Sequence, residues 1–254
     1  MDTVLLFAVV GFCAQLIDAS LGMGFGLISS SILLAGGVSP PLISAAVNAA
    51  KLPTGLVSAL SHMRFGNIDR HVLTRLTVSG VATGVLGALL LSHLKSPAVV
   101  ILVSVFLMMM GILIFVRGIL GRTPSVVAFA PAWAIGGAGG LIEGIGGSWG
   151  PIVTTGLLGA GYPPRKAVGS SCAAELAVSA AVFATLMITF SRGHWGDDGG
   201  LHTVLGPVVG LIAGGLPAAA VGGYMASRIP RRPMSLAVGC LAFGIGLWRM
   251  LEAV

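Results

Sequence analysis

The sequence predicts an all-α polytopic membrane protein made of two inverted-topology repeats, each with about five membrane segments. Of the 254 residues, 56% are hydrophobic and 9% are charged, whereas a soluble domain carries about 25% charged residues. The second half also repeats a pattern of small and apolar residues from the first half at an offset of 124 positions, as from Gly26 to Gly150. Composition therefore predicts the membrane, and the repetition predicts a duplicated unit.

The apolar residues fall into two sets of five runs. The first set lies near residues 3–17, 25–37, 42–62, 72–91 and 98–116, and the second near residues 125–142, 151–161, 167–190, 203–227 and 234–250. A helix needs about 20 residues to cross the hydrocarbon core, and the second run of each set is too short for this. Each set therefore predicts three full spans preceded by a broken or partly inserted hairpin, so that the first two segments of each repeat are short or broken.

The matching positions define two membrane repeats, residues 1–121 and 122–254, joined near Arg122-Thr123-Pro124 into one integrated transporter domain. At the 124-residue offset, small or apolar second-half residues meet Gly26, Ile28, Leu33, Leu34, Gly37, Pro40, Ala49, Ala50 and Leu52. Because the matches keep their order along both halves, they indicate one unit present in two copies.

Basic residues in the loops orient the two copies. If the loop with Arg64 and Arg70 is cytoplasmic, alternation of the helices places ten basic residues on that side and three on the other. The ten are Arg64, Arg70, Arg75, Arg117, Arg122, Arg165, Lys166, Arg228, Arg231 and Arg232, and the three are Lys95, Arg192 and Arg249. The positive-inside rule then inverts the halves relative to each other. Inverted repeats with interrupted helices are typical of secondary transporters, which bind their substrate between the halves.

Four charged residues, Asp18, Lys51, Glu143 and Glu175, lie inside apolar runs. Together they cost on the order of 10 kcal/mol on insertion scales, so a function or a partner must offset them. Lys51 aligns with Glu175 at the 124-residue offset, and Asp18 aligns with Glu143 when one residue is gapped. We expect a shared site in which Lys51 attracts an anion, the three acids couple a proton or cation, and at least one acid is protonated near neutral pH. The alternative is a structural Asp18–Lys51 ion pair, with both glutamates facing headgroups or a wet vestibule.

Two glycine-rich segments follow two of these acids. Glycine at this density breaks a helix and admits a ligand close to the backbone, and the helix that restarts aims its positive end at the break. Two such ends facing each other would make an anion site, and the substrate-binding residues predicted there are Gly22, Gly24, Gly26, Gly146, Gly147, Ser148 and Gly150. The alternative is that these glycines only allow tight helix packing, which is our interpretation of the ridges Gly80-Gly84-Ala88 and Gly206-Gly210-Gly214.

Small polar residues follow the prolines that come after each short run. Ser44, Asn48 and Lys51 share a helix face because they are spaced by four and three residues, and Pro53 would kink that helix just beyond them. The equivalent positions of the second half include Ser170, Ser171 and Cys172. These residues are predicted to line the substrate site, although serine in a membrane helix often bonds back to its own backbone.

Several other functions are not expected. Residues 146–150 match the G-x-S-x-G pattern of serine hydrolases, but all five histidines (His62, His71, His93, His194 and His202) fall in loops or near helix ends, so the serine has no base. No catalytic residue, metal site or cofactor is predicted, and the three cysteines are interpreted as packing residues. The net charge of +6 is interpreted as topology and not as nucleic-acid binding, and a cleaved signal peptide is not expected.

The duplicated unit resembles the sulfite exporter TauE/SafE family, also called the toluene sulfonate uptake permease family. In each copy an acid precedes a glycine-rich break, followed by a short apolar segment, a proline and a small-residue helix such as Gly169-Ser170-Ser171-Cys172. The resemblance covers essentially the whole chain. It implies a bacterial or archaeal inner-membrane secondary carrier for small sulfur-containing anions such as sulfite, sulfoacetate or other organosulfonates, with export as the favoured direction.

The expected partners are a small anionic substrate, a co-transported proton or cation, and the lipid bilayer, with no nucleic acid. Exposed small-residue ridges also permit a homodimer. Transport would proceed by alternating access. Two alternatives stay open: a carrier of cations or of other organic anions, and a non-transporting membrane protein or intramembrane enzyme. A cation carrier would explain the three intramembrane acids more directly than an anion carrier does, and Lys51 is the residue that distinguishes the two.

Overall fold

A computed structural model describes residues 3–93, 97–120, 131–193, 200–225 and 231–253 of the chain. The predicted junction near Arg122-Thr123-Pro124 lies outside these residues, as do Lys95, Arg228 and His194. Within the described ranges every regular element is a helix. The helices are α1 (Thr3–Leu21), α2 (Phe25–Ala35), α3 (Pro40–Arg64), α4 (Arg70–His93), α5 (Pro97–Leu120), α6 (Ala132–Gly146), α7 (Gly150–Gly159), α8 (Pro164–Ser191), α9 (His202–Met225) and α10 (Arg231–Ala253).

Six helical segments in the described ranges are long and apolar enough to cross a membrane: Thr3–Leu21, Pro40–Arg64, Arg70–His93, Val103–Leu120, Pro164–Ser191 and His202–Gly222. The expectation of an all-α polytopic membrane protein is confirmed. The short second run of each half is also confirmed, because α2 has 11 residues and α7 has 10, about half of what a span needs. The first segments differ from each other: α6 has only 15 residues, whereas α1 has 19 and is one of the six segments long enough to cross.

Glycine and proline set the ends of both short helices. After α2 the chain turns at Gly37, whose φ is +78°, and after α7 at Gly161, whose φ is +87°. The helices that follow, α3 and α8, then begin with a proline in the first turn, where the missing N–H costs nothing and the fixed φ suits a helix. A glycine with positive φ followed by a proline in the first turn of the next helix therefore comes after the short helix in both halves.

The long helices α3 and α8 pack against each other at the centre, with α9 also on α3 and α4 also on α8. The outer pairs are α1 on α9, α6 on α4, and α5 on α10. Glycines allow these close contacts: a Cβ at Gly84 would lie 3.1 Å from the Val178 side chain on α8, and one at Gly210 only 2.5 Å from the carbonyl oxygen of Val4 on α1. The interpretation of the two small-residue ridges as helix-packing surfaces is confirmed.

Candidate functional site

The two glycine-rich breaks lie directly against each other. Gly22, Gly24 and Gly147 have φ values of +70°, +150° and +65°, which L-residues with side chains rarely adopt. A Cβ at Gly26 would lie 1.7 Å from the carbonyl oxygen of Gly147, and a Cβ at Gly150 would lie 2.4 Å from that of Gly22. Only glycine permits this approach, so the breaks between α1 and α2 and between α6 and α7 form one crossing point.

The ammonium group of Lys51 lies at this crossing point. Its Nζ contacts Oε1 of Glu143 and Oε1 of Glu175, each at 2.7 Å. The same Nζ donates to the carbonyl oxygen of Gly147, also at 2.7 Å. An ammonium has three N–H donors, so these three acceptors use all of them. The structure thus places three of the four predicted charged residues in one cluster that joins α3, α6 and α8.

The two glutamates differ in their surroundings. The Glu143 side chain is fully buried, whereas that of Glu175 is 11% exposed. Ser179 donates a hydrogen bond of 3.1 Å to Glu143 Oε1, while Glu143 Oε2 has no hydrogen-bond partner among the described residues. Glu143 is therefore the enclosed partner of Lys51, and Glu175 is the partner that can be reached from outside the cluster.

Asp18, the fourth charged residue, caps the short helix α2. Its Oδ1 accepts a hydrogen bond of 3.4 Å from the backbone N–H of Phe25, the first residue of α2. A carboxylate is favourable there because the N-terminal end of a helix carries a partial positive charge. Lys51 forms its ion pairs with Glu143 and Glu175. The alternative, in which Lys51 pairs with Asp18 and both glutamates face headgroups, is therefore wrong about which acids pair with the lysine.

A cleft between α1, α3 and α8 reaches the lysine cluster. The polar residues that line it are Gln15, Asp18, Lys51, Thr54, Ser58, Cys172 and Glu175. Asp18 and Glu175 belong to this lining, whereas Glu143 lies behind it. Three neutral polar residues, Gln15, Thr54 and Ser58, were absent from the sequence-based site. Two of them could have been found by helical spacing, because Thr54 and Ser58 follow Lys51 by three and seven residues on one face.

Other residues of the predicted site lie around the cluster and not on the cleft. Ser44 donates to the carbonyl oxygen of Gly144 at 3.2 Å, and the side-chain amide of Asn48 donates back to the carbonyl of Ser44 at 2.8 Å. Ser148, in the second break, donates to the carbonyl of Gly146 at 3.3 Å. These groups tie α3 to the end of α6 and fix the second break, which is a supporting position for the cluster.

The three predicted residues of α8, Ser170, Ser171 and Cys172, lie in three different environments. The backbone N–H of Asp69, in the α3–α4 loop, donates to Ser170 Oγ at 2.8 Å. Ser171 Oγ accepts from the indole N–H of Trp149 at 3.0 Å, so it anchors the second break. Cys172 lines the cleft. Trp149 is fully buried, and no sequence pattern identified it as the residue that anchors the second break.

The donor set suits ions and protons better than a transition metal. Among the described residues, no group of three or more His, Cys, Asp or Glu side chains is arranged to hold a metal ion. What the site offers is one ammonium, two nearby carboxylates and a third carboxylate on a helix N-terminus. Such a buried charge cluster, in a chain of membrane helices, is expected to bind or exchange charged species.

Comparison with known proteins identifies the kind of membrane protein. Residues 7–249 match the family described as Sulfite exporter TauE/SafE. The chain is also 34% identical over 247 residues to the protein named "Probable membrane transporter protein YtnM" of Bacillus subtilis (strain 168), a match that covers 94% of this chain and 80% of that protein. No solved structure shows a significant match.

Proposed function

This chain belongs to the sulfite exporter TauE/SafE family, and on that premise we propose that it is a secondary transporter of small sulfur-containing anions, such as sulfite or sulfoacetate. We place it in the inner membrane of a prokaryotic cell and propose export as its direction, because the family is named after sulfite exporters. The proposed activity is transport without catalysis. An alternating-access carrier needs a site that both halves build, and the lysine cluster has groups from α3, α6 and α8.

The proposal rests on one observation: all three N–H donors of the Lys51 ammonium already contact acceptors within the protein. An anion can reach the ammonium only by replacing one of its three acceptors, Glu143, Glu175 or the Gly147 carbonyl. Glu143 is enclosed and bonded to Ser179, and the Gly147 carbonyl belongs to the backbone. Glu175 is the acceptor on the cleft. We therefore expect the incoming anion to take the place of Glu175 on Lys51.

This exchange links the anion to a proton. An ionised Glu175 that left Lys51 would be an unpaired charge in a buried site, which is costly. A proton on Glu175 removes that cost and frees Lys51 for the anion. Binding of one singly charged anion with one proton would keep the charge of the cluster unchanged, so the proposed coupling is one proton for each anion that displaces Glu175.

The helix pairs support the proposed inverted repeats. Exchanging α1–α5 for α6–α10 converts the pair of α1 and α9 into α6 and α4, and the pair of α3 and α9 into α8 and α4, and all four pairs are present. The same exchange maps α3 on α8 and α5 on α10, which pack together. The loop charges give the two halves opposite orientations in the membrane. We propose that one half rocks against the other around the lysine cluster.

Flux from purified protein in liposomes tests the proposal. We expect uptake or release of sulfite or sulfoacetate that depends on the protein, that responds to a pH gradient, and that is lost in Lys51→Ala. Lys166→Ala is the matched control, because Lys166 donates to the loop carbonyl of Ile68 and lies outside the cluster. Absence of protein-dependent flux for every anion tested would refute the transporter proposal and favour a non-transporting membrane protein or an enzyme.

A cation carrier is the second candidate, and one observation favours it. Three carboxylates, Asp18, Glu143 and Glu175, surround a single lysine, so the fully ionised site is negative. Carriage of another organic anion is a variant of the main proposal and depends on Lys51 in the same way. If Lys51→Ala leaves anion binding unchanged, while cation flux depends on the carboxylates, the cation carrier is correct.

A further inference from the structure

The cleft contains two neutral polar side chains that make no hydrogen bond to an oxygen or nitrogen atom of the described residues. Gln15 is 3% exposed and lines the cleft, and its amide makes no hydrogen bond within the described part of the chain. Ser58 is 1% exposed, and its hydroxyl faces only the thiol of Cys172 without a hydrogen bond to an oxygen or nitrogen atom. Buried polar groups are normally paired with oxygen or nitrogen partners, so both side chains have hydrogen-bonding capacity left for a ligand in the cleft.

Donors for an arriving anion are otherwise scarce in this cleft. All three donors of Lys51 are used. Thr54 lies between Lys51 and Ser58 along α3, but its hydroxyl proton is donated to the carbonyl of Ala50 at 2.9 Å. Before Glu175 leaves the lysine, the strong N–H and O–H groups that remain on the cleft are the amide of Gln15 and the hydroxyl of Ser58.

We propose that Gln15 and Ser58 form a docking subsite that binds the oxygen atoms of a small oxyanion before it reaches Lys51. The inference rests on the proposed transport of sulfur oxyanions and adds the residues that recognise them. Sulfite and sulfonates present three oxygens that accept hydrogen bonds, which an amide N–H and a hydroxyl both supply. Uncharged donors suit a transient site, because they bind the anion less tightly than a positively charged side chain would and so release it readily.

The position of the two residues supports a path to the lysine. Ser58 lies seven residues after Lys51 on α3, about 10 Å further along the helix axis, and Gln15 lies one turn before Asp18 on α1. Both residues line the cleft that also contains Lys51. The carboxylates of Asp18 and Glu175 share this cleft, so the anion is expected to dock best at low pH, where protons reduce its repulsion.

Cys172 offers a direct probe of occupancy. Its thiol lines the same cleft, whereas the other two cysteines, Cys13 and Cys240, are exposed on helix surfaces. In a Cys13→Ser/Cys240→Ser protein, the rate of alkylation of Cys172 by N-ethylmaleimide is measured with increasing methanesulfonate or sulfoacetate. Both anions are chosen because, unlike sulfite, they do not react with maleimides. We expect either anion to slow the alkylation.

Substitutions then test the subsite. Loss of a hydrogen bond to a charged group weakens binding about tenfold or more, so Gln15→Ala and Ser58→Ala should each raise the half-protecting concentration by that factor. Thr54→Val is a control on the same cleft, because its hydroxyl is not a free donor. Ser104→Ala is a control for loss of a buried, unpartnered serine hydroxyl on α5. Both controls should change protection less than about twofold.

The outcomes separate this inference from the proposed function. Flux and protection in the parent protein, with unchanged protection in Gln15→Ala and Ser58→Ala, would overturn the subsite alone. A parent that shows neither flux nor protection would overturn both proposals. Protection that changes with the cation of the added salt, sodium or N-methylglucamine, and not with the sulfonate would assign the subsite to a cation. Calorimetric Kd values for sulfoacetate repeat the comparison if Cys172 reacts too slowly, and melting temperatures verify that each variant is folded.

Discussion

Replacement of Glu175 by glutamine tests the central step of the proposed mechanism. The ion pair with Lys51 joins Nζ and Oε1 at 2.7 Å, which corresponds to an attraction of about 6 kcal/mol at an effective dielectric constant of about 20. A small anion cannot displace an ionised Glu175 without an equivalent attraction. Protonation removes that attraction, and glutamine removes it permanently. We therefore expect Glu175→Gln to bind anions without requiring a proton.

The magnitude follows from the number of carboxylates that must leave. One displaced glutamate takes up one proton, so the apparent Kd of the parent should rise about tenfold for each pH unit above the range in which Glu175 titrates. If both glutamates had to leave, the slope would be about a hundredfold per unit. Glu175→Gln should show a nearly flat profile that stays at the tight, low-pH value of the parent.

Calorimetric titration with methanesulfonate between pH 5 and pH 8 measures these slopes, because a sulfonate stays fully ionised throughout. Glu143→Gln is the matched control: Glu143 is enclosed and bonded to Ser179, so its loss should leave the tenfold slope in place. In liposomes, anion flux through Glu175→Gln should no longer respond to a pH gradient. An equal slope in the parent and in Glu175→Gln would refute the exchange at Lys51.

Three further substitutions test the architecture of the site. Lys51→Ala leaves two buried carboxylates without their cation and should lower the free energy of unfolding by about 3–5 kcal/mol, measured by denaturation in detergent. Gly26→Ala places a Cβ 1.7 Å from a carbonyl oxygen and should cost about 1–3 kcal/mol or more, whereas Gly244→Ala meets no atom within 4 Å and should not destabilise. Trp149→Phe loses its hydrogen bonds to α8 and should lower stability by about 1 kcal/mol.

The sequence was sufficient to predict the helices and the short segments because both follow from local composition. An apolar run of 11 residues between glycines cannot span a bilayer wherever it packs, so α2 and α7 were predictable without tertiary information. The gathering of Lys51, Glu143 and Glu175 was also predictable, because unpaired charges inside apolar helices are costly. A glycine-lined site was predictable as well, because the sequence places a dense group of glycines directly after Asp18 and another directly after Glu143.

The choice of partners was not predictable in the same way. Glu143 and Glu175 are 92 and 124 positions from Lys51, and only the packing of α3, α6 and α8 decides which acid the ammonium reaches. The sequence predicts Asp18 as an ion-coupling acid of the shared site, and the structure adds that it caps α2 through Phe25, seven residues further along the chain. No local signal marks this cap, because Asp18 lies within α1 and Gly24 occupies the N-cap position of α2.

The contact between Lys51 and Glu175 has a consequence for how the proposed carrier moves. These residues occupy positions that align between the two halves of the sequence, and in the proposed inverted repeats a pair of equivalent positions that touch must lie near the axis that relates the copies. The same charge at both positions would bring two like charges together, so opposite charges make the central contact favourable.

Both ion pairs of Lys51 also join the first half to the second. If one half rocks against the other, the empty carrier has to separate or slide these pairs in a buried site, which is costly. An anion on Lys51 and a proton on Glu175 replace the pair that faces the cleft and leave the enclosed Glu143 as the remaining ionic link, so movement and occupancy are coupled through the same atoms.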